Sequence, residues 1–156
     1  MSCMRLIYRC GDEADLAAVY ELNRRSFAES WSNDGLKSAL EEGYELSLCM
    51  DGDVLAGYLL SHDLLDEVHI MQITVDDSYR RRGIAEQLSQ KLLAAKQSRK
   101  FLLEVRASNR AAQALYEKLG FVCYGVRKGY YVPRHEGAER EDAVLMHYQS
   151  SIDTIE

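Results

Sequence analysis

The sequence predicts an α/β fold: one domain over residues 1–156, built as a mixed β-sheet of about seven strands flanked by about four helices. Three observations lead there. The chain's 156 residues match the roughly 150 expected of one domain. Apolar residues make up 47% of the chain and Pro133 is its only proline, which excludes a disordered, proline-rich or collagen-like polymer. Segments with apolar residues at helical spacing alternate with segments in which they recur every second position or run continuously. Their order is strand, two helices, three strands, helix, strand, helix, two strands, a mixed α/β arrangement.

Met4 to Arg9 reads as the first strand. From Asp12 onward Leu16, Val19, Tyr20 and Leu22 recur at three-to-four spacing behind acids in the first turn, which predicts an amphipathic helix. After a link carrying Phe27 and the single tryptophan, Trp31, a shorter helix is expected from near Ser32, burying Leu36, Ala39 and Leu40. Tyr44, Leu46 and Leu48 alternate as in a half-buried strand, and Asp51-Gly52 turns the chain into a second strand starting near Val54, a β-hairpin. In the next run, Val68 and Ile70 share one face while Met71, Ile73 and Val75 fall on the other. Two arrangements account for that slip: a β-bulge near Ile70 and Met71, which bends the strand and leaves backbone groups unpaired beside a slot, or a strand buried on both faces. A helix follows with Ile84, Ala85, Leu88, Leu92 and Ala95 on one stripe, and Phe101 to Val105 reads as a central strand. Ser108 is placed to cap a helix that buries Ala112, Leu115 and Leu119 and stops at Gly120. Phe121 to Val126 and Ala143 to Tyr148 are the last strands, joined by the polar stretch Arg127 to Asp142.

The net charge of −6 argues against a general nucleic-acid binder. The charge is polarised: residues 1–78 carry 5 basic and 16 acidic side chains, residues 79–156 carry 14 and 9, which suggests two different ligands. The longest strongly apolar run, Val54 to Leu60, is interrupted by Gly57 and falls far short of the roughly 20 residues of a membrane span. The opening MSCMRLIYRCGDEAD lacks the apolar core of a signal peptide, so a cytoplasmic protein without membrane association is expected. Cys3, Cys10, Cys49 and Cys123 form no C-x-x-C pair and no zinc-like spacing with histidine; reduced, mostly buried thiols and no metal are the expectation.

Three features bear chemistry. Arg80-Arg81-Arg82-Gly83-Ile84-Ala85 stands between a strand and a helix, where free N–H groups and small residues bind phosphate oxygens; a solvated basic turn has the same composition. Its spacing differs from the fingerprints of nucleoside triphosphate and dinucleotide sites. Glu104 lies near the C-terminal end of the central strand, where open α/β sheets place ligands; it is either a general base or a structural partner of Arg106 or another cation. Asn109 and Tyr116, seven residues apart, leave one face of a helix and either hold and protonate a ligand or belong to the core.

In combination these motifs identify a resemblance. ITVDDSYRRRGIAEQL, LLEVRASNRAAQALYEKLGF, RKGYY and EREDAVLM follow the order and spacing of the GCN5-related N-acetyltransferases (GNAT), and within them of the RimI-type bacterial branch that acetylates an N-terminal alanine of a ribosomal protein. The resemblance covers residues 4 to 148. It implies the GNAT acyltransferase fold with a bulged fourth strand and an enzyme using acetyl-CoA. The backbone of Arg80, Arg81, Arg82, Gly83, Ile84, Ala85 and Glu86 would cradle the pyrophosphate, Ile73, Thr74 and Val75 would pair with the pantetheine arm, and Asn109 would contact the cofactor. Glu104 takes the role of proton acceptor and Tyr116 that of proton donor. Ser30-Trp31-Ser32 stands where such proteins often carry Pro-Trp-Ser, and Trp31, Tyr130, Tyr131 and Glu141 are the expected acceptor contacts. The stretch from Arg127 to Asp142 either folds over the acceptor or is an exposed loop. The expected partner is the N-terminus of a basic ribosomal protein. Direct transfer is the simpler expectation over a covalent route through Cys123, which has no histidine near it in sequence.

Overall fold

The computed structural model describes residues 5–26, 31–133 and 135–149; Cys3, the expected strand start at Met4, the link residue Phe27 and Ser30 lie outside them. Among the described residues seven strands form one sheet: β1 (Leu6–Gly11), β2 (Tyr44–Asp51), β3 (Val54–Leu64), β4 (Glu67–Val75), β5 (Lys100–Arg106), β6 (Val122–Tyr131) and β7 (Glu141–Gln149). Their spatial order is β1-β2-β3-β4-β5-β7-β6. All neighbours are antiparallel except β4 and β5, which run parallel. A parallel pair needs a long crossover, and the connection contains α3 (Ile84–Ala95). The helices α1 (Leu16–Ser26) and α2 (Asn33–Glu41) separate β1 from β2, and α4 (Arg110–Lys118) separates β5 from β6.

Local chemistry sets these boundaries. The Asp12 carboxylate accepts from the Ala14 N–H at 2.9 Å and Asp15 accepts from the Asp12 N–H at 2.9 Å, closing a capping box. The chain therefore makes one 3-10 turn, Glu13–Asp15, before α1 begins at Leu16, later than the expected start at Asp12. Ser32 caps α2 through the Gly35 N–H at 2.9 Å. The cap of α4 is Asn109, not the expected Ser108: a turn closed by the Asn109 N–H on the Arg106 carbonyl leaves Asn109 as the last residue outside the helix. Its Oδ1 takes the Ala112 N–H at 3.1 Å, while the Ser108 N–H donates to Glu141 at 2.6 Å.

Alternate residues of the central strands feed two cores. Leu59, Val68, Ile70, Phe101, Leu103 and Val105 pack with Ile84, Leu88 and Leu92 of α3 and Tyr116 of α4. Leu46, Leu48, Tyr58 and Leu60 pack with Leu16, Val19 and Leu22 of α1 and Leu36 of α2. Each such fully buried side chain contributes about 1.5–3 kcal/mol. Gly57 permits a close approach: a Cβ there would sit 2.9 Å from the Thr74 carbonyl oxygen and 3.2 Å from the Ile84 side chain.

Of the two arrangements open for β4, the structure has the bulge. Leu60 pairs with Gln72 but Ser61 with Ile70, so Met71 is the extra residue. Its insertion restores the phase and returns Ile73 and Val75 to the core that holds Val68 and Ile70. The ladder between β4 and β5 runs from Glu67–Lys100 to Ile70–Leu103 and ends there. Beyond the bulge the strands part.

Two expectations are corrected. The polar stretch from Arg127 to Asp142 is strand at both ends, with β6 running to Tyr131 and β7 starting at Glu141, and only the middle of it is a connection. Arg140 donates to the Gly129 carbonyl at 2.7 Å and Asp142 accepts the Gly129 N–H at 2.9 Å; polar residues suffice because β6 is an edge strand. The thiols are not mostly buried: Cys49 is, but Cys10 and Cys123 are exposed, because β1 and β6 form the two edges of the sheet. Among the described residues no helix is long and apolar enough to cross a membrane.

Candidate active site

A cavity of about 470 Å³ opens where β4 and β5 separate. Ile70, Met71, Gln72 and Ile73 line one wall and Leu103, Glu104, Val105 and Arg106 the other, closed by Asn109, Ala112 and Tyr116 around α4, by Tyr131 and by Ser26. The bulge and the end of the parallel ladder thus create the opening.

Leu103 and Val105 face the α3–α4 core, so Glu104, alternating with them, projects to the opposite face, the one covered by α1. Its carboxylate pairs with the Arg127 guanidinium at 3.4 Å. Arg106, the partner considered from sequence, is engaged elsewhere: it bonds Glu141 at 3.3 Å and lies 4.4 Å from the Tyr131 ring centroid. Tyr116 is 7% exposed and packs edge-on against Phe121, centroids 5.5 Å apart. Burial raises its pKa well above the ordinary phenol value, with the Tyr131 phenol adding to the effect, so it keeps its proton throughout the physiological range. Gln113 donates from Nε2 to the Arg106 and Ala107 carbonyls at 3.1 and 3.0 Å. These bonds fix α4 to the end of β5 and hold Tyr116 in register with Glu104.

The Arg80–Glu86 loop has the backbone of an anion cradle. Arg81 has φ 66° and Gly83 φ 72°; a left-handed arginine is strained by about 1–2 kcal/mol and marks a segment held for a purpose. Gly83 is the N-cap of α3 and supplies no side-chain cap. The N–H groups of Ile84, Ala85 and Glu86 therefore open α3 without helical acceptors. Arg80 pairs with Asp77 at 2.9 Å and Arg82 lies over the Tyr79 ring at 5.8 Å. The Glu86 carboxylate is turned to Lys118 at 3.1 Å, which offsets the one acid in the first turn of α3. Asp76, whose carboxyl is held below its usual range by the Ser78 N–H and then by Arg25, fixes the strand-to-loop turn.

The expected residues distribute unevenly. Glu104, Tyr116, Asn109, Ile73 and Tyr131 line one cavity. Thr74 is 5% exposed and Val75 packs against the α3–α4 core, so these two can meet a ligand only through backbone on the open side of β4. Trp31 lies outside the cavity lining, edge-on to Tyr44 at 6.1 Å in the α1–α2 core. Tyr130 and Glu141 also lie outside it; Glu141 instead supports the site through Arg106 and the Ser108 N–H. Cys123 is likewise absent from the lining.

A polar trio of Asn23, Tyr58 and half-buried Gln72 escapes the sequence pattern. Asn23 and Tyr58 are both 0% exposed; Asn23 Nδ2 donates to the Tyr58 hydroxyl at 2.7 Å and to Gln72 Oε1 at 2.6 Å, and Tyr58 donates to Gln72 Oε1 at 3.0 Å. The available signal was an asparagine at the next position of the stripe formed by Leu16, Val19 and Tyr20, since a polar residue in an apolar stripe needs a buried partner.

A splayed parallel pair, an uncapped helix after the next loop, and a carboxylate and a phenol on one cavity together suit acyl transfer, and the relatives of this chain are acyltransferases. The family model described as "Acetyltransferase (GNAT) family" matches residues 16–121, and the chain belongs to that family. Over 139 residues it is 37% identical to the [ribosomal protein bS18]-alanine N-acetyltransferase of Escherichia coli K12, covering 86% of this chain and 91% of the relative. The Haemophilus influenzae protein of that name is 33% identical over 149 residues, covering 94% and 97%. The crystal structure of the Escherichia coli ribosomal-protein-S18-alanine N-acetyltransferase superposes with a TM-score of 0.87 at 31% identity, over 97% of this chain and 99% of that one.

Proposed function

We propose that this chain is a cytoplasmic enzyme, one catalytic domain over residues 1–156, that transfers the acetyl group of acetyl-CoA to the N-terminal α-amino group of a protein. The acceptor we infer is an alanine at the N-terminus of a basic ribosomal protein, as the names of its relatives in Escherichia coli and Haemophilus influenzae say of those proteins. The observation that carries the reading is the parting of β4 and β5 at Met71, which brings Glu104 and Tyr116 to one cavity beside a free strand edge.

Each residue has a defined task. The N–H groups of Ile84, Ala85 and Glu86, with the arginine-rich loop around them, bind the pyrophosphate of acetyl-CoA, and the open edge of Ile73, Thr74 and Val75 holds the pantetheine arm by strand-like pairing. Asn109, through its side chain at the start of α4, contacts the same ligand. An α-amine has a pKa of about 7.7–8.0 against about 10.4 for lysine, so a modest base suffices. Glu104 accepts the ammonium proton, directly or through one water, as nitrogen attacks the thioester carbonyl. The C–N bond forms, a β4 backbone N–H stabilises the oxyanion, the C–S bond breaks, and Tyr116 donates a proton to the departing thiolate and is reprotonated by the second proton that the new amide nitrogen gives up. Tyr131 borders the acceptor, with Trp31, Tyr130 and Glu141 framing its entry. Cys123 has no part in this direct transfer.

The test is a competition within one molecule: a peptide beginning with alanine and carrying one internal lysine is incubated with enzyme and acetyl-CoA and mapped by mass spectrometry. Acetylation at the N-terminus is expected; faster modification of the lysine overturns the assignment.

A further inference from the structure

The Gln72 side chain, which nothing in the sequence singled out, is oriented by a set of hydrogen bonds that permits no reversal. The backbone N–H of Trp31 can only donate, and it meets Asn23 Oδ1 at 2.7 Å. The other end of the Asn23 amide is therefore the nitrogen, which donates to Tyr58 at 2.7 Å and to Gln72 at 2.6 Å. Gln72 must then present its oxygen, which also accepts the Tyr58 O–H at 3.0 Å. With Oε1 held by two donors, Nε2 is directed away from them, and it has no partner among the described residues. Because Asn23 and Tyr58 are fully buried, their end of the network is stiff.

Gln72 lines the cavity immediately after the bulge. Its bond to Asn23 of α1 puts its side chain on the α1 face of the sheet, the face to which Glu104 projects across the gap. A neutral donor suits that position, since a cation would repel the ammonium the acceptor brings. The other polar groups of the lining have tasks: Arg106 is bonded to Glu141, and Asn109 Oδ1 caps α4.

We infer that Gln72 Nε2 donates a hydrogen bond to the carbonyl oxygen of the acceptor's first residue, making Gln72 a specificity-determining residue that selects peptide α-amines over amines lacking a neighbouring carbonyl. This rests on the acetyl-transfer reading above and sharpens it: an α-amine has a carbonyl two bonds away along its own residue, whereas a lysine ε-amine or a simple alkylamine has none within reach.

The test compares wild type with Gln72→Glu and Gln72→Met, each bound to coenzyme A. Glu keeps an oxygen for Asn23 and Tyr58 but loses both N–H donors, and Met is neutral and close in volume. Dissociation constants are measured for a short peptide beginning with alanine and for n-butylamine. General damage to the site weakens both ligands and the added charge of Glu strengthens both, so the readout is their ratio. The peptide's advantage over n-butylamine is expected to fall about tenfold in both variants, the scale of one lost hydrogen bond, with coenzyme A affinity unchanged. An unchanged ratio in either variant, or a wild-type enzyme with no preference for the peptide, overturns the inference. Acetyl transfer to the same peptide is followed separately: wild type that binds the peptide selectively but does not acetylate it contradicts the proposed function and leaves the ratio to decide the role of Gln72.

Discussion

Tyr116 illustrates how surroundings settle a side chain's chemistry. Buried against Phe121 and with its pKa raised by that burial, it remains a phenol over the whole working range, which suits the proton-donor task proposed for it and rules out that of a base. Tyr116→Phe keeps the ring and its packing, so kcat is expected to fall by about 10²–10⁴ while acetyl-CoA binding stays within about twofold, checked by steady-state kinetics beside a direct binding measurement. The direction of the shift also fixes the pH profile. A raised phenol pKa keeps the acid form present to higher pH, so kcat/KM should climb as the acceptor amine deprotonates through about pH 8 and then hold level. A tyrosinate downturn below pH 10 would remove Tyr116 as the donor. Glu104 was legible in the sequence as a carboxylate at a strand end, but its partner was not. Arg127 reaches it from β6, two strands away in the sheet order, and pairing across that distance leaves no trace in local spacing.

At the scale of elements, what the sequence showed and what it hid divide along physical lines. The bulge was visible because an extra residue shifts the apolar phase of β4, and Met71 is where the register slips. The cap of α4 and the length of β6 were not: the cap depended on where the turn after β5 closed, and an edge strand carries little apolar pattern to read. Gly57 was noted only as an interruption in an apolar run, yet it is where β3, β4 and the start of α3 meet. Gly57→Ala places a methyl 2.9 Å from the Thr74 carbonyl, a backbone atom unable to swing aside. A loss of about 1–3 kcal/mol is expected from such overpacking, a fall in Tm of about 2–4 °C for each kcal/mol, measurable by thermal denaturation. Because the same contact seats the first turn of α3, KM for acetyl-CoA should rise together with the loss of stability.

For the whole molecule, the charge polarity gains a location. The acidic half supplies α1, α2 and the first four strands, and the basic half supplies the loop of Arg80–Arg82 with α3 and α4. The sign of each half matches its proposed ligand, a basic protein tail and a polyanionic coenzyme. Raising salt from about 0.05 to 0.5 M shortens the screening length severalfold, so KM for an arginine-rich acceptor peptide is expected to rise while that for an uncharged one stays level; equal behaviour of the two would exclude steering. Charge also sets the acid stability. Lys96 at 2.9 Å and Arg99 hold Asp63 at the far end of β3, and these bonds keep its carboxyl below the usual range. A lowered folded-state value means the unfolded chain binds that proton first, so the contribution is complete above about pH 4 and fades as pH falls through the lowered value. Asp63→Asn should flatten the decline of Tm below pH 4. Among all these outcomes, the central claim, that the opening between β4 and β5 is a site of direct acetyl transfer with Glu104 as proton acceptor, meets its most direct test in one comparison. Single-turnover acetylation of a peptide beginning with alanine is measured for wild type and Glu104→Gln, with acetyl-CoA affinity determined alongside. A rate lower by about 10²–10⁴ at unchanged acetyl-CoA affinity is expected; an undiminished rate would remove Glu104 as the proton acceptor.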